Sequence, residues 1–337
     1  MAEPTVLAVI LNWRTAPMTL RAAECCLTAM EGIAGAITIV DNDSGDGSYE
    51  ALVQAVADRG WHRVRVIQSG HNGGFGAGNN VGIRAGLPGG EKPDFVYILN
   101  SDAFPAPDAI RQLLDYLLAH PHVGFAGSHI HGPEGDPHTT AFRFPSAWSE
   151  LEGAARTGPI SRALARHTVP MALPRHPARV DWLAGASMMM RRTVLDRIGL
   201  FDETFFLYFE ETDLCLRARR AGWETHYIPA SRVAHIGSES TGMKRWTRIP
   251  QYWLDSRLHY FVKNHGAMGA MAATLAHVAG GLVWRARRLV AGRPRLDPPH
   301  FLRDLIVHDA KAGLRALTQP RRAPARQTAG KSPARRP

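Results

Sequence analysis

The residues best suited to chemistry fall into five clusters. Four follow apolar, β-rich runs early in the chain: Asn12-Trp13-Arg14, Asp41-Asn42-Asp43-Ser44-Gly45-Asp46, the stretch Asn72 to Asn80, and Asn100-Ser101-Asp102. Asp102 closes a strongly apolar run, where a carboxylate suits a hard divalent cation bridging two phosphates. Asn100 beside it can bind a sugar hydroxyl. Asp102 could equally cap the helix expected after Pro105, although a cap leaves Asn100 unexplained. Gly73, Gly74, Gly76 and Gly78 let backbone come close to a ligand and present N–H groups at a helix start, which suits a diphosphate. A merely flexible turn has the same composition. The pattern is not G-x-x-x-x-G-K-[ST], which excludes a P-loop. A dinucleotide fingerprint belongs after the first strand, and Leu11-Asn12-Trp13 has no glycine there.

The fifth cluster lies in the second half, where Phe201 to Phe209 lead into Glu210, Glu211 and Asp213. Carboxylates this close repel one another and raise at least one pKa, which is useful in a general base. They also suit the first turn of a helix, and both readings can hold together. His235 follows the next β-rich run and could complete a metal site, although a single histidine is more often structural.

These residues need a scaffold that brings them together. Apolar runs at 5–11, 36–40, 63–68, 94–99 and 123–127 alternate with helix-like stretches near 16–30, 47–58, 76–86 and 106–119. That alternation predicts βαβ units on a parallel sheet, whose ligands sit at the C-terminal ends of the strands. All four early clusters should therefore converge on one rim. Residues 129–179 are rich in His, Pro, Arg and Gly without a long period, and read as an irregular excursion over that rim that shapes an acceptor site. Regular signals return at 184–190, with helices near 192–198 and 210–221, a strand at 224–228 and an aromatic-rich helix at 246–265.

The chain has 337 residues, 45% hydrophobic and 21% charged, with a net charge of +10. Those proportions exclude a largely disordered or collagen-like protein. The charge is uneven: residues 285–337 hold 14 Lys and Arg against 3 acidic residues, and the rest is close to neutral. The bulk of the protein is therefore not expected to bind nucleic acid. Cys25, Cys26 and Cys215 form no metal or disulfide pattern, and the first apolar run is short, so the expected location is cytoplasmic. Residues 267–284 carry no charge, yet half are Ala or Gly. The larger apolar residues, Met268, Met271, Leu275, Val278 and Leu282, form one helical stripe, followed by Arg285, Arg287 and Arg288. Residues 267–295 could lie on the inner-membrane surface or pack on protein.

The clusters, in this order, resemble the family 2 glycosyltransferases with the GT-A fold over about residues 5–265, closest to the rhamnosyltransferase-like branch that acts on lipid-linked saccharides. The resemblance implies an α/β fold with a Rossmann-like, mostly parallel central sheet and flanking helices. To this the sequence adds a C-terminal helical extension, giving domains at 1–265 and 266–317 with a basic tail at 318–337. It implies an enzyme that takes a nucleotide-diphosphate sugar, and a saccharide or lipid-linked acceptor, with Mg²⁺ or Mn²⁺. Residue by residue, Asp41 matches the nucleobase contact. Asn72 to Asn79 match the turn that lines the nucleotide site, Asn12 and Asn42 stand beside it, and Asn100 and Asp102 match the ribose- and metal-binding element. Glu211 matches the catalytic base, with Glu210 and Asp213 as alternatives because Glu stands where Asp is usual. His235 matches the histidine that completes the metal shell. Asn100-Ser101-Asp102 has one carboxylate where many relatives have two. A nucleotide-sugar-forming nucleotidyltransferase and a non-catalytic binding module are the competing readings.

Overall fold

The structure, a computed structural model, describes residues 3–237, 246–294 and 297–318. The expected basic tail beyond Thr318 lies outside the described residues.

The first half alternates as the sequence predicts: β1 (Val6–Asn12), α1 (Ala16–Ala29), β2 (Gly35–Asp41), α2 (Ser48–Asp58), β3 (Val64–Gln68), α3 (Gly74–Ala85) and β4 (Phe95–Asn100). The strands β1 and β4 are almost wholly buried, because helices cover both faces of the sheet and leave no polar side. Next come β5 (Ala103–Pro105), α4 (Ala109–Ala119) and β6 (Val123–His131). The second half adds β10 (Ser187–Arg191), α7 (Arg192–Ile198), α8 (Glu210–Arg220) and β11 (Glu224–His235), the two long strands outrunning their expected ends.

The large sheet runs in the order β3-β2-β1-β4-β10-β6-β11-β5. Pairing is parallel from β3 through β4 and between β6 and β11, while β10 is antiparallel to both β4 and β6. Register explains how the early clusters meet. Asn12 pairs with Asp41, Asp41 with Gln68 and Leu11 with Asn100, so these strands end on one rim. The short β5 runs antiparallel to the end of β11 and pairs Ala103 with His235, which brings His235 beside Asp102.

The segment 129–179 is more ordered than its composition suggested. It holds β7 (Ala141–Phe142), α5 (Ala147–Ala155), α6 (Gly158–Ala163) and a short 3₁₀ turn at Ala165–His167, with β8 (Ala178–Val180) at its end. These elements are too short to show a period. The helix α5 starts at a local device, Ser146 and Ser149 satisfying each other's backbone N–H groups. The strand β7 pairs with β9 (Trp182–Leu183) in a separate ribbon.

The helix α9 (Gln251–Ala291) carries the expected 246–265 helix straight into the apolar extension, with one kink at Gly266, whose φ is 73°. Its partner α10 is Phe301–Thr318. The small residues of the extension face the protein: Ala270, Ala273, Gly280 and Gly281 are buried. At Gly280 a Cβ would sit 2.5 Å from the Leu151 carbonyl oxygen of α5, so glycine permits the helices to touch. Most of the expected stripe faces the other way: Met268, Met271, Leu275 and Leu282 are each more than half exposed, whereas Val278 is partly buried against Leu254, Phe301 and Leu305. A buried Arg257 ties the extension down, bonding Glu150 at 2.8 Å and Asp309 at 3.3 Å across α5, α9 and α10. Burial opposes ionisation of Glu150, but Arg257 and His277 outweigh it and hold its pKa down at about 2.

Candidate active site

At the C-terminal rim lies a cavity of about 830 Å³. Of the residues expected from sequence, Asn42, Asn72, Gly74, Asn100, Asp102, Glu210, Glu211 and His235 line it. Asn12, Asp41, Gly73, Gly76, Asn79 and Asp213 are not on its wall.

The residues off the wall have structural partners. The buried Asp41 carboxylate accepts from Asn12 Nδ2 at 2.7 Å, Ser44 Oγ at 2.6 Å and Ser44 N at 3.1 Å, fixing the turn that carries Asn42. Asn42 in turn donates to Asn72 Oδ1 at 2.9 Å, so the second and third clusters form one wall. Asn79 Nδ2 donates to the Phe75 carbonyl one turn back on α3. The glycines serve a purpose that the sequence did not disclose. Gly74 has φ +87°, and a Cβ there would fall 1.8 Å from the Phe206 carbonyl oxygen, which already accepts from Phe75 N. Gly76 faces the Phe201 side chain. The close approach is between the turn and the Phe201–Asp213 cluster, so these glycines dock one half of the site onto the other.

Asp102 and His235 form the clearest polar pair. His235 Nε2 lies 3.0 Å from Asp102 Oδ1, Gly237 N donates to Asp102 Oδ2 at 3.1 Å, and Asn100 Nδ2 lies 3.4 Å from the same imidazole nitrogen. An imidazole nitrogen and a carboxylate oxygen, converging on a cavity wall, form a donor pair that fits a divalent cation.

The three carboxylates expected as alternative bases separate cleanly. Asp213 is fully buried and bound by Arg217 at 2.8 Å, Lys263 at 2.8 Å and Asn264 at 3.0 Å. Burial would raise its pKa, but these donors outweigh it and hold it low. Glu210 and Glu211 both face the cavity, and each has an Oε2 with no hydrogen-bond partner among the described residues. Burial, then the charge of Glu211, pushes Glu210 well above the ordinary carboxylate range. Burial also raises Glu211, opposed by its backbone hydrogen bonds, including Gly185 N at 3.4 Å.

Strain presents this pair. Tyr208 and Phe209, immediately before α8, have φ of 71° and 72°, a left-handed conformation that aromatic residues rarely adopt. The first arm of α9 braces the turn, through Ser256 Oγ donating to the Leu207 carbonyl and Tyr260 packing on Phe209.

Sequence reasoning missed part of the wall. Pro137, His138 and Thr139 reach it from the irregular segment, and Tyr252 from α9. The first three lay in a segment without periodicity, so only its expected position over the rim pointed to them.

The family model "Glycosyltransferase like family 2" matches residues 4–251. The chain belongs to that family. This glycosyltransferase is 32% identical, over 218 residues, to N-acetylglucosaminyl-diphospho-decaprenol L-rhamnosyltransferase of Mycobacterium tuberculosis, covering 61% of this chain and 68% of that protein. It is 28% identical over 212 residues to the low-salt glycan biosynthesis hexosyltransferase Agl10 of Haloferax volcanii, covering 60% of each. Among solved structures it resembles the mannosyltransferase PcManGT from Pyrobaculum calidifontis, in complex with GDP-Man and Mn²⁺, with a TM-score of 0.56 and 15% identity over 94% of this chain and 81% of that one. Staphylococcus aureus TarS in complex with UDP-GlcNAc gives 0.52 and 13%, over 85% and 73%. The fold of the glycosyltransferase is GT-A, as the resemblance implied. Family membership sets aside the nucleotidyltransferase and the non-catalytic module.

Proposed function

We propose that the enzyme transfers a sugar, with inversion, from a nucleoside-diphosphate donor to a saccharide on a lipid carrier, in the assembly of a cell-envelope polysaccharide. Deoxythymidine-diphosphate L-rhamnose is the donor to test first, on the similarity to the mycobacterial rhamnosyltransferase. The observation that carries the reading is one cavity bounded by the Asp102–His235 pair and by the unpaired carboxylate oxygens of Glu210 and Glu211.

The two glutamates divide the work by environment. Two buried carboxylates cannot both ionise cheaply, so one keeps its proton, and we assign it to Glu210, the more deeply buried of the two, since Glu211 Oε1 accepts from Gly185 N. Glu211 then carries the charge and takes the proton from the acceptor hydroxyl. The acceptor oxygen attacks the anomeric carbon from the face opposite the diphosphate. The bond from that carbon to the diphosphate oxygen breaks, and its electron pair leaves with the nucleoside diphosphate. Mn²⁺ or Mg²⁺ held by Asp102 and His235 would offset the charge gathering on that leaving group. Asn100 binds the ribose, and the Asn42–Asn72 wall, fixed from behind by Asp41, holds the nucleobase. Pro137, His138 and Thr139 border the acceptor side.

We also place the enzyme on the cytoplasmic face of the membrane, held by the outward stripe of α9. Leu289 and Val290 continue its exposed apolar surface, and Arg285, Arg287 and Arg288 lie beside it. The helix α9 has a stretch long and apolar enough to cross a bilayer. Yet its other face is packed on α5, where His277 Nδ1 lies 2.7 Å from Glu150. A helix bound on one side and apolar on the other lies in an interface rather than across it. Release of nucleoside diphosphate from a panel of nucleotide sugars, with a lipid-linked N-acetylglucosamine acceptor and with Mn²⁺ or EDTA, tests the reaction. Metal-dependent release with one donor supports it. Silence across the panel, from folded protein that fails to bind any nucleotide, refutes it.

A further inference from the structure

His122, Glu224 and His226 form a second polar cluster at the opposite end of the sheet. Glu224 lies opposite Val123 and Ala234 opposite His131 on the neighbouring β6, so at ~3.3 Å per residue the cluster and the catalytic cavity lie roughly 26 Å apart. One ligand atom from each of the three residues lies within 4.8 Å of the others. His226 Nε2 is 2.8 Å and His122 Nε2 is 3.9 Å from the same oxygen, Glu224 Oε2.

We propose that these three side chains bind a transition-metal ion of the Zn²⁺ type, at a site separate from catalysis. Two imidazoles and one carboxylate form a three-ligand set that leaves a further position open for water. The backbone already holds the ligands. Glu224 pairs with Val123, next to His122, and Glu224 N donates to the His122 carbonyl at 3.2 Å. The outer contacts also suit a metal. Tyr116 Oη lies 2.9 Å from His226 Nδ1, and a phenol can accept the Nδ1 proton when Nε2 turns to the ion. Arg179 takes Glu224 Oε1 at 2.9 Å, leaving Oε2 to the cluster. His226 is buried, Glu224 is partly exposed and His122 is open to solvent, so an ion can enter from the His122 side without opening the core. The bound ion joins the starts of β6 and β11 and stabilises the folded sheet.

The full-length protein is titrated with Zn²⁺ by calorimetry, as the wild type, as Asp102→Ala to remove the catalytic pair, and as Asp102→Ala combined with His122→Ala or with Glu224→Gln. The single variant keeps one zinc, and each double variant weakens that binding by at least about tenfold, as loss of a ligand should. Zinc raises the melting temperature of Asp102→Ala protein and leaves the double variants unmoved. His122 is exposed, so its replacement folds. Zinc binding that disappears with Asp102→Ala alone, or that survives both double variants unchanged, overturns the site.

Discussion

At the scale of single residues, Glu210 and Glu211 sit in unequal surroundings, Glu210 more deeply buried and Glu211 bonded by Gly185 N. Glu211→Gln should lower turnover by roughly 10²–10⁴-fold and leave donor binding intact, because only the proton acceptor is lost. Steady-state kinetics beside calorimetric nucleotide binding checks this, and near-normal turnover removes Glu211 from the role. Glu210 makes a second prediction through stability. Its folded pKa is raised, first by burial, so its contribution to stability is full below the ordinary carboxylate range and fades as pH rises through the raised value. Glu210→Gln should therefore melt higher than wild type, by a margin that grows between pH 5 and pH 8. A gap that shrinks with rising pH contradicts the assignment. The meeting of Asn100, Asp102, Glu210 and Glu211 on one cavity wall was readable in the sequence, since they are polar groups placed where strands or loops end on the rim. The demotion of Asp213 was not readable. Its partners Lys263 and Asn264 are about 50 residues away, and only the folded chain shows that its oxygens are taken.

At the scale of elements, the strained turn before α8 and the second arm of α9 depend on distant contacts. Arg257→Met leaves the largely buried Glu150 and Asp309 with only His277 and His308 as basic partners and should cost about 3 kcal/mol, measurable by denaturant unfolding. Glu150 has a depressed pKa, so the stability it contributes is present above the ordinary carboxylate range and is lost as pH falls toward about 2. Wild type should therefore lose melting temperature steeply below pH 4, and Arg257→Met less so. The first seven elements were legible because each carries its own period and turn. The antiparallel β10 between β4 and β6, and β5 beside β11, were not, because sheet neighbours are chosen by long-range packing. The stripe on α9 was legible as a stripe but not as a direction. Its larger residues face outward because Ala and Gly on the other side let α5 come closer.

For the whole molecule, a nearly neutral catalytic body carries a basic, apolar C-terminal extension, and the proposed membrane contact rests on those two features together. Met271→Glu combined with Leu275→Glu puts two charges on the exposed stripe and should cut co-sedimentation with vesicles containing anionic phosphatidylglycerol several-fold, with the fold unchanged by circular dichroism. Equal sedimentation of both proteins would place the membrane contact elsewhere. Metal-assisted sugar transfer at one cavity by a glutamate base is open to a single assay. Deoxythymidine diphosphate release from the rhamnose donor is followed with a lipid-linked N-acetylglucosamine acceptor, for wild type, Glu211→Gln and Asp102→Ala. The prediction is acceptor-dependent release by wild type that EDTA stops and Mn²⁺ restores. Glu211→Gln should bind donor but not turn over, and Asp102→Ala should need far more metal or donor. Full turnover by Glu211→Gln, or release indifferent to both EDTA and Asp102→Ala, would contradict the account.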